Sequence, residues 1–359
     1  MNIFQLLPTI SYGDAVGNDT RAIDGILREN GFNTGIFAEN IDHRLPKGTA
    51  DKIRNLPDLK NDDVIICHCS TGSKLNEKLL HMNGRKIMIY HNITPAYFFE
   101  PYSKAAVQLT SDGLAQIRAL SSVVDYCIAD SEFNKSDLQQ LGFACPIDVC
   151  PILIPFEDYE KEPDSRILDR FNFNDTVNIL FVGRIAPNKK QEDLIKTFYF
   201  YHKYYNPDSR LIICGTYNGM EKYYWRLLDY AECLGLTDSI IFTGHIKFNQ
   251  ILAWYRAADL FLCMSEHEGF CVPLLEAMHF GIPIAAYKST AVPDTLGDGG
   301  ILLDTKDPNL TAEIIDNLLQ DDELKVKIRE QQLIQLKRYQ YQNVKNTFLS
   351  CLTTFLESK

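Results

Sequence analysis

Short apolar runs alternate with amphipathic, helix-length stretches along nearly the whole chain, and this alternation limits the fold more than any other feature. The first half contains NIFQLL, TGIFAE, VIICHC, KIMIYHN and YCIADS, and the second contains VNILFVGR, RLIICG, SIIFTG, DLFLCMS, PIAAY and ILL. These runs are too apolar for strands with one face in water, which predicts parallel sheets covered by helices on both faces. Two such series predict an α/β protein with two Rossmann-like, doubly wound domains that face each other across a cleft.

The length of 359 residues is also too great for one ordinary core. We place an N-terminal domain at residues 1–155 and a C-terminal domain at residues 156–340. The polar, weakly periodic segment EDYEKEPDSRILDRFNFND is taken as the linker region. The tail reads as helical, and its last helix, about 340–359, is a candidate for packing back on the first domain. After the first strand we expect a helix capped by Asn18 or Asp19 and ended by Gly31.

The composition is that of an ordinary globular chain, with 45% apolar and 23% charged residues. A net charge of −11, with both halves acidic, argues against a broad nucleic-acid surface, which needs a basic face. No apolar run approaches the ~18 residues of a membrane span, and the start MNIFQLLPTI lacks a secretory signal pattern. The ten cysteines lie mostly inside apolar runs, so we expect buried, reduced thiols and no disulfide framework.

The motifs of common nucleotide and metal sites are missing. GDAVGN is not a GxGxxG loop, no GxxxxGK[ST] phosphate loop occurs, and no D-x-D pair offers a grip on a divalent metal. Cys67, His68 and Cys69 follow one another on a strand, so the thiols share one face and His68 points to the other. Because no second Cys or His pair follows at zinc-like spacing, we predict neither a metal site nor a cofactor.

The stretch SEHEGFCVPLLEAMHFGIPI, residues 265–284, predicts an anion site. It follows an apolar strand, and Pro273 suits the first position of a helix that Gly281 ends. A helix N-terminus with its dipole favours a diphosphate. Glu276, one turn into the helix, is placed to reach sugar hydroxyls, as is Glu268 before it. The candidate backbone donors are Gly269, Phe270, Cys271 and Val272.

Other candidate residues follow strand ends, which is where open parallel sheets bind ligands. Arg184 directly follows the strand NILFV and Lys189 lies in the same loop, so the two cations can neutralise a leaving diphosphate. Lys190 is the less favoured neighbour of Lys189. His91 ends another strand, in IYHNITP. The glycines that let a ligand approach the backbone at such ends are Gly17, Gly183 and Gly215.

Taken together, these motifs resemble a known family. GR-x4-K, then FTGHI, then E-x7-E running into LLEAMHFGIPI and STAVPDTLGDGGILL resembles the retaining glycosyltransferases of family 4, which have the GT-B fold and include hexosyltransferases of bacterial polysaccharides such as lipopolysaccharide or capsule. The resemblance covers nearly the whole chain, with YGDAVGND and YHNITP as its matches in the first half. It implies a metal-independent enzyme that transfers a hexose from GDP- or UDP-hexose, with retention, to a saccharide or lipid-linked acceptor.

The resemblance also assigns roles to residues of the second half. Glu276 would hold the ribose hydroxyls of the donor, and Arg184 and Lys189 would hold the diphosphate as it leaves. Many relatives carry a glycine after this lysine, where the present chain has Lys190 and Gln191. Either lysine is therefore a candidate for the phosphate contact.

The remaining implied roles concern the sugar and the first domain. Glu268 and the backbone of residues 269–271 would contact the donor sugar and phosphate. Gly17 would let the first loop close onto the diphosphate, and His91 would lie beside the transferred sugar. The resemblance places the enzyme in the cytoplasm and is compatible with peripheral visits to the inner face of the membrane, where lipid-linked acceptors are found.

Three other functions are compatible with parts of the pattern. A GT-B phosphorylase or synthase uses the same fold, but such enzymes tend to be longer or to carry a pyridoxal lysine. A catalytically silent paralog would bind a sugar nucleotide without turning it over. The complete set of candidate residues argues against this function, namely Arg184, Lys189, Glu268 and Glu276. A Rossmann oxidoreductase would require NAD(P) binding, for which the first loop gives weak support.

Overall fold

The computed structural model describes residues 1–171 and 176–358 and divides the chain into two compact units. Unit 1 combines residues 1–97, 105–155 and 339–359, and unit 2 combines residues 98–104 and 156–338. Each unit contains one parallel β-sheet. The predicted α/β class with two doubly wound sheets is therefore confirmed.

The sheets and helices follow the predicted alternation closely. The strands are β1 (Asn2–Ile10), β2 (Asn33–Ile41), β3 (Asp51–Lys52), β4 (Val64–Cys69), β5 (Arg85–Tyr90), β6 (Tyr126–Ala129), β7 (Ile147–Val149), β8 (Val177–Val182), β9 (Ser209–Cys214), β10 (Ile240–Gly244), β11 (Leu260–Cys263), β12 (Ile284–Tyr287) and β13 (Ile301–Leu303). The helices are α1 (Ala15–Glu29), α2 (Lys74–Leu79), α3 (Lys104–Leu120), α4 (Glu132–Gln140), α5 (Ser165–Phe171), α6 (Gln191–Tyr204), α7 (Glu221–Cys233), α8 (Phe248–Ala257), α9 (Val272–His279), α10 (Val292–Leu296), α11 (Pro308–Gln320), α12 (Asp322–Arg338) and α13 (Tyr341–Glu357).

The strand order of each sheet reverses direction once. In unit 1 the order is β3-β2-β1-β4-β5-β6-β7, so the chain leaves β1 toward one edge and later returns to β4 on the other side of β1. In unit 2 the order is β10-β9-β8-β11-β12-β13, with the same reversal between β8 and β11. Open parallel sheets bind ligands beyond the carboxyl ends of the strands at such switch points.

Helix α1 begins earlier than the sequence analysis predicts. Its N-cap is Asp14, whose carboxylate accepts a hydrogen bond from the Gly17 amide at 2.8 Å, so the predicted caps Asn18 and Asp19 are wrong. Asp19 instead lies inside the helix with its side chain buried. Asp14 caps the helix because its carboxylate accepts from the Gly17 amide, which has no carbonyl partner within the helix.

The segment interpreted as a linker contains regular structure. Helix α5 lies inside it, and the Phe171 ring packs 4.8 Å from Trp254 of α8. The Asp164 amide donates to the carbonyl of Asn249 at 2.9 Å, which ties the residue before α5 to the start of α8. The segment predicted as the linker region thus contains a packed helix, and its residues 172–175 lie outside the described residues.

The thiols of unit 1 behave as the sequence analysis predicts. Cys67 and Cys69 belong to the hydrophobic cluster on one face of the sheet, and His68 between them points to the other face. All ten cysteines are free. Within the part of the chain that the structure covers, no helix is both long and apolar enough to traverse a bilayer.

The C-terminal helix α13 completes the core on the opposite face of the unit 1 sheet. Phe348 and Phe355 are 1% and 0% exposed and pack in one cluster with Ile3 and Ile26. The Arg85 guanidinium lies 4.1 Å from the Phe355 ring centre and donates to the Phe355 carbonyl at 2.6 Å. The last helix is thus part of the first unit, although residues 156–338 of unit 2 separate it in sequence from the rest of that unit.

Replacing Phe348 with alanine is expected to destabilise unit 1 by about 3–5 kcal/mol, because it leaves a cavity in a closely packed core. Chemical denaturation would show this loss, and hydrogen exchange would show earlier opening of α13 and β1. The control is Ser350→Ala, an exposed position on the same helix. Equal stability of the two variants would contradict the packing of α13 in this core.

Candidate functional site

The loops that follow β8 and β11 meet at the switch point of the unit 2 sheet. Asn188 in the first loop connects them: its carbonyl accepts from the Glu266 amide at 2.8 Å, and its side chain donates to the His267 carbonyl at 3.0 Å. Asn188 is 5% exposed, so these bonds are shielded from water. The sequence analysis missed Asn188, because a lone asparagine in a loop carries no distinguishing pattern.

The strands β8 and β9 approach each other closely at their carboxyl ends. A Cβ atom on Gly215 would lie 1.9 Å from the Gly183 carbonyl oxygen, which no side chain allows. The Gly183 amide also donates to the Cys214 carbonyl at 2.9 Å. These two predicted glycines therefore let two backbones approach each other, and this close packing positions Arg184, the next residue.

Lys189 and Glu268 form an ion pair across the two loops. The ammonium contacts the carboxylate directly, and the side chains are 22% and 7% exposed. Burial works against the charged lysine, but the Glu268 carboxylate outweighs it and raises the Lys189 pKa. The Glu268 amide is held by the Thr290 hydroxyl at 2.8 Å, which fixes the backbone of the loop. Two residues predicted separately are thus direct partners.

Lys190 faces a different set of charges. Its ammonium lies 3.2 Å from Glu266 and 3.9 Å from Glu192. Its backbone is left-handed, with φ of 53°, and it caps the start of α6. Lys306, which the sequence analysis missed, adds a second cation to this group by contacting Glu266 and Asp193, each at 2.9 Å. The charges of Lys190 and Lys306 are therefore balanced by the neighbouring carboxylates of Glu192, Asp193 and Glu266.

Arg184 differs from Lys189 and Lys190 in the charges that surround it. Its side chain is exposed, and within residues 1–171 and 176–358 no carboxylate forms an ion pair with it. Its carbonyl accepts from the Gln191 side chain at 3.1 Å, so the backbone is held while the guanidinium is available. An arginine in this position can bind an anion without first breaking an internal salt bridge.

Helix α9 starts one residue before the predicted position. Its first residue is Val272, so Pro273 occupies the second position, and Cys271 caps the helix with φ of 75°. Phe280 is the C-cap, and Gly281 follows it with a left-handed φ of 66°, as predicted for the glycine that ends this helix. The Phe270 carbonyl accepts from the buried Thr295 hydroxyl, which ties the turn to α10. The predicted strand, turn and helix are all present, and the left-handed Cys271 accounts for the shift of one residue.

Glu276 lies on α9 between two tyrosines. The Tyr159 hydroxyl donates to Oε1 and the Tyr255 hydroxyl to Oε2, each at 2.6 Å. Burial raises the pKa of Glu276, and the two hydroxyl donors partly oppose this by stabilising the charged form. Tyr255 is fully buried and Tyr159 is 6% exposed. The sequence analysis missed both, because they come from α8 and from the segment before α5.

In unit 1, Gly17 lies in the first turn of α1, where a Cβ atom would be 2.7 Å from the Ser11 carbonyl oxygen. His91 follows β5, and its ring is only 3% exposed. One ring nitrogen donates to Asp130 at 2.8 Å and the other lies 3.0 Å from His68. Burial disfavours the charged ring, but the adjacent Asp130 outweighs it and raises the His91 pKa.

The buried group around His91 is larger than its sequence neighbours indicate. Burial raises the pKa of Asp19 to about 7, with His91 opposing this shift and Asp130 adding to it. Burial, together with His91, lowers the pKa of His68 well below its ordinary value. Gln5 of β1 completes the group through a 3.0 Å contact with His68. Within unit 1 the fold therefore gathers four titratable groups that lie far apart in sequence.

Comparison with known proteins shows what unit 2 is similar to. Residues 166–333 match the family model described as Glycosyl transferases group 1. The O-antigen chain mannosyltransferase B of Escherichia coli is 24% identical over 273 residues, which is 75% of this chain and 70% of that protein. Seven other curated relatives are matched over 24% to 56% of their own length.

Solved structures share the whole fold. Sucrose-phosphate synthase from Thermosynechococcus elongatus superposes with a TM-score of 0.75 at 15% identity, covering 100% of both chains. HepE of Anabaena in complex with UDP superposes with a TM-score of 0.71 at 17% identity, covering 99% of this chain and 100% of that one. The chain thus has the GT-B fold of these structures, and its residues 166–333 are similar to the group 1 glycosyl transferase domain.

Proposed function

We propose that the protein transfers a hexose from a nucleotide-sugar to a saccharide or lipid-linked acceptor, with retention of the anomeric configuration. The observation that carries this proposal is the arrangement at the unit 2 switch point. The exposed Arg184 follows β8 and has no carboxylate partner among the residues that the structure describes, and the Lys189–Glu268 ion pair joins the neighbouring loops. A diphosphate needs cations, and a sugar needs a carboxylate that accepts from its hydroxyls.

The cations provide a physical reason for catalysis without a metal ion at the diphosphate. As the sugar–phosphate bond breaks, negative charge develops on the leaving diphosphate. Arg184 and Lys189 would stabilise that charge, with Lys189 shifting from Glu268 toward phosphate when the donor binds. The start of α9 adds a helix N-terminus of favourable sign. Glu268, released from its partner, would accept hydrogen bonds from the donor sugar.

Retention fits a displacement from the same face of the sugar. The leaving phosphate would accept the acceptor's proton, so this mechanism needs no separate catalytic base. The ring of His91 is buried with both nitrogens engaged. Any contact of His91 with the transferred sugar would therefore involve its partly exposed backbone more readily than its ring.

Glu276 is proposed to bind the ribose of the nucleotide. The two tyrosine hydroxyls hold the carboxylate in one orientation, and each of its oxygens keeps a second lone pair for a ribose hydroxyl. Similarity to a mannosyltransferase favours a mannosyl donor, for which we propose GDP-mannose. The UDP complex of the Anabaena structure keeps UDP-hexoses as the second choice. The catalytically silent, phosphorylase and oxidoreductase functions are not favoured by these comparisons.

A donor screen tests the function. We expect GDP-mannose or a UDP-hexose to raise the melting temperature, because a ligand that binds only the folded state stabilises it. The purified protein should then release the nucleoside diphosphate, and NMR of the product should show the donor's anomeric configuration. NAD⁺ is the control ligand. A shift with NAD⁺ alone, or binding of donor without any turnover, would contradict the proposal.

Replacing Arg184 with alanine is expected to lower kcat by about 10²–10³-fold while KM for the donor changes only a few-fold. The reason is that its guanidinium would act most strongly on charge that develops in the transition state. Steady-state kinetics with the donor identified in the screen would measure both constants. The control is Lys288→Ala, a surface cation paired with Asp304. Similar losses in kcat and in donor affinity would indicate that Arg184 only binds substrate.

Tyr255→Phe and Tyr159→Phe are expected to weaken nucleoside diphosphate binding by roughly 2–10-fold, which corresponds to one hydrogen bond to Glu276. Binding of inorganic pyrophosphate should not change, because it lacks the ribose. Calorimetry would compare the two ligands, with Tyr204→Phe, an exposed tyrosine, as the control. Equal losses for both ligands would place Glu276 at the phosphates rather than at the ribose.

The Tyr255→Phe and Tyr159→Phe variants also allow a prediction of how nucleotide affinity depends on pH. The Glu276 carboxylate accepts hydrogen bonds well only when it is ionised, and burial already raises its pKa. Nucleotide affinity should therefore decrease as the pH falls through this raised pKa. Removing either hydroxyl donor raises the pKa further, so the decrease should begin at a higher pH in the phenylalanine variants. The pyrophosphate profile corrects for titration of the phosphates.

A further inference from the structure

A cleft runs along one face of helix α7 in unit 2. Its first cavity has a volume of about 620 Å³ and is lined by Pro101, Tyr102, Lys222, Trp225, Arg226 and Asp229. A second cavity of about 310 Å³ shares Arg226 and Asp229 with the first and adds Tyr230. The α7 residues recur every three or four positions, so they lie on one face of the helix. We call the two cavities together the α7 cleft.

Trp225 gives the α7 cleft a large exposed aromatic surface. Its side chain is 60% exposed, and across residues 1–171 and 176–358 its indole N–H donates to no partner. The Tyr224 ring lies 5.7 Å from the indole and is itself stacked on Tyr217 at 4.0 Å, which supports the indole from behind. An aromatic ring carries negative charge on its face, and the axial C–H groups of a pyranose are slightly positive. Trp225 is therefore suited to stack on a sugar ring.

The wall opposite Trp225 is held to α7 by two hydrogen bonds. Nη1 of Arg226 donates to the Tyr102 hydroxyl at 2.7 Å, and Nζ of Lys222 donates to the Pro101 carbonyl at 2.6 Å. Pro101 and Tyr102 also belong to unit 2. A guanidinium has five N–H donors, so the bond to Tyr102 leaves other donors of Arg226 for a ligand.

Asp229 supplies acceptors beside these donors. It is exposed, lies one turn after Trp225 and Arg226, and forms neither an ion pair nor a side-chain hydrogen bond with any residue that the structure describes. Its carboxylate oxygens can accept from two neighbouring hydroxyls, while Arg226 donates to a hydroxyl or ring oxygen. Donors and acceptors next to an aromatic face match the chemistry of a saccharide.

Other classes of ligand fit this surface less well. A purely apolar partner would take Asp229 and Arg226 out of water without giving them hydrogen bonds, which is costly. A nucleic acid would bring its phosphates toward the carboxylates of Asp229 and Glu192, both of which line the cleft. A neutral, hydroxyl-rich ligand avoids both costs.

A short series of contacts connects the α7 cleft with the loop that carries Arg184. The Tyr102 ring meets the Tyr223 ring edge-on, with 4.9 Å between their centres. The Tyr223 hydroxyl accepts from the Gln191 amide at 3.0 Å, and the Gln191 side chain donates to the Arg184 carbonyl at 3.1 Å. A saccharide in the cleft would therefore lie near the loop that is proposed to hold the donor diphosphate.

We propose that the α7 cleft is a second saccharide site, which binds an oligosaccharide with Trp225 stacked on one sugar ring and Asp229 and Arg226 bonded to its hydroxyls. The volumes of both cavities fall within the range of about 300–1,000 Å³ that ligand sites occupy. In its role the inference rests on the proposed function, because the oligosaccharide would be the distal part of a growing acceptor. Two points of attachment would make a long acceptor bind more tightly than a short one.

Titration with maltotetraose and with an α-mannotetraose, in the absence of any nucleotide, tests the site. The chain has two tryptophans, and Trp254 is only 5% exposed, so tryptophan emission reports mainly on Trp225. We expect a saturable change with at least one of the two glycans. Ligand-observed NMR should show binding weakened ~10-fold in Trp225→Ala and partly restored in Trp225→Phe. Asp229→Asn should weaken it by about 2–10-fold.

The matched control is Tyr204→Ala on α6, which removes an aromatic side chain of the same 60% exposure and should bind glycan like the wild type. Equal melting temperatures would show that the variants are folded, as expected for exposed positions. Failure of both glycans to bind the wild type, or equal binding by Trp225→Ala and the control, would overturn the proposal.

Kinetics separate this inference from the transferase function. With the donor identified in the screen, Trp225→Ala should raise KM for a tetrasaccharide acceptor ~10-fold and leave kcat with a monosaccharide acceptor unchanged. Normal turnover in a protein that binds neither glycan would overturn the second site alone. Glycan binding that depends on Trp225, in a protein that never uses a donor, would overturn the transferase function and leave the saccharide site standing.

Discussion

The buried ion pair between Lys189 and Glu268 is the interaction on which the candidate site in unit 2 depends. It joins the loops after β8 and β11 where the strand order reverses, and Asn188 supports it with two further bonds. Removing either partner would leave an uncompensated buried charge, which is strongly destabilising. In the proposed function a phosphate group would replace Glu268 as the partner of Lys189, so the interaction that stabilises these loops would also prepare a cation for the donor.

The two glutamates of the E-x7-E pattern have contrasting surroundings. Glu268 faces an ammonium, whereas Glu276 accepts from two tyrosine hydroxyls. An ion pair can be exchanged for another charge, while neutral hydroxyl donors orient a carboxylate without competing for the phosphate. This difference in environment is why we assign Glu268 to the sugar end of the donor and Glu276 to the ribose.

The sheet of unit 1 reverses its strand order in the same way as the sheet of unit 2, but different polar side chains lie at the reversal. At its switch point the sheet gathers imidazoles and carboxylates rather than cations, and α13 closes the opposite face. Parallel strands bring their carboxyl ends to one edge, so residues from α1, β4 and β5 become neighbours irrespective of their separation in sequence. The fold thus explains why each unit concentrates its polar groups at one edge of the sheet.

The sequence by itself determined the fold class, nearly all of the buried strands, and the loops that carry Arg184, Lys189 and Glu268. These follow from local patterns, because apolar runs and helix signals are read over a few residues. Tertiary structure alone decided which side chains became hydrogen-bond partners. Tyr159 lies 117 positions from Glu276, and His68 lies 63 positions from Gln5. Local periodicity carries no information about such distances, since which side chains meet depends on how the strands are ordered in the sheet.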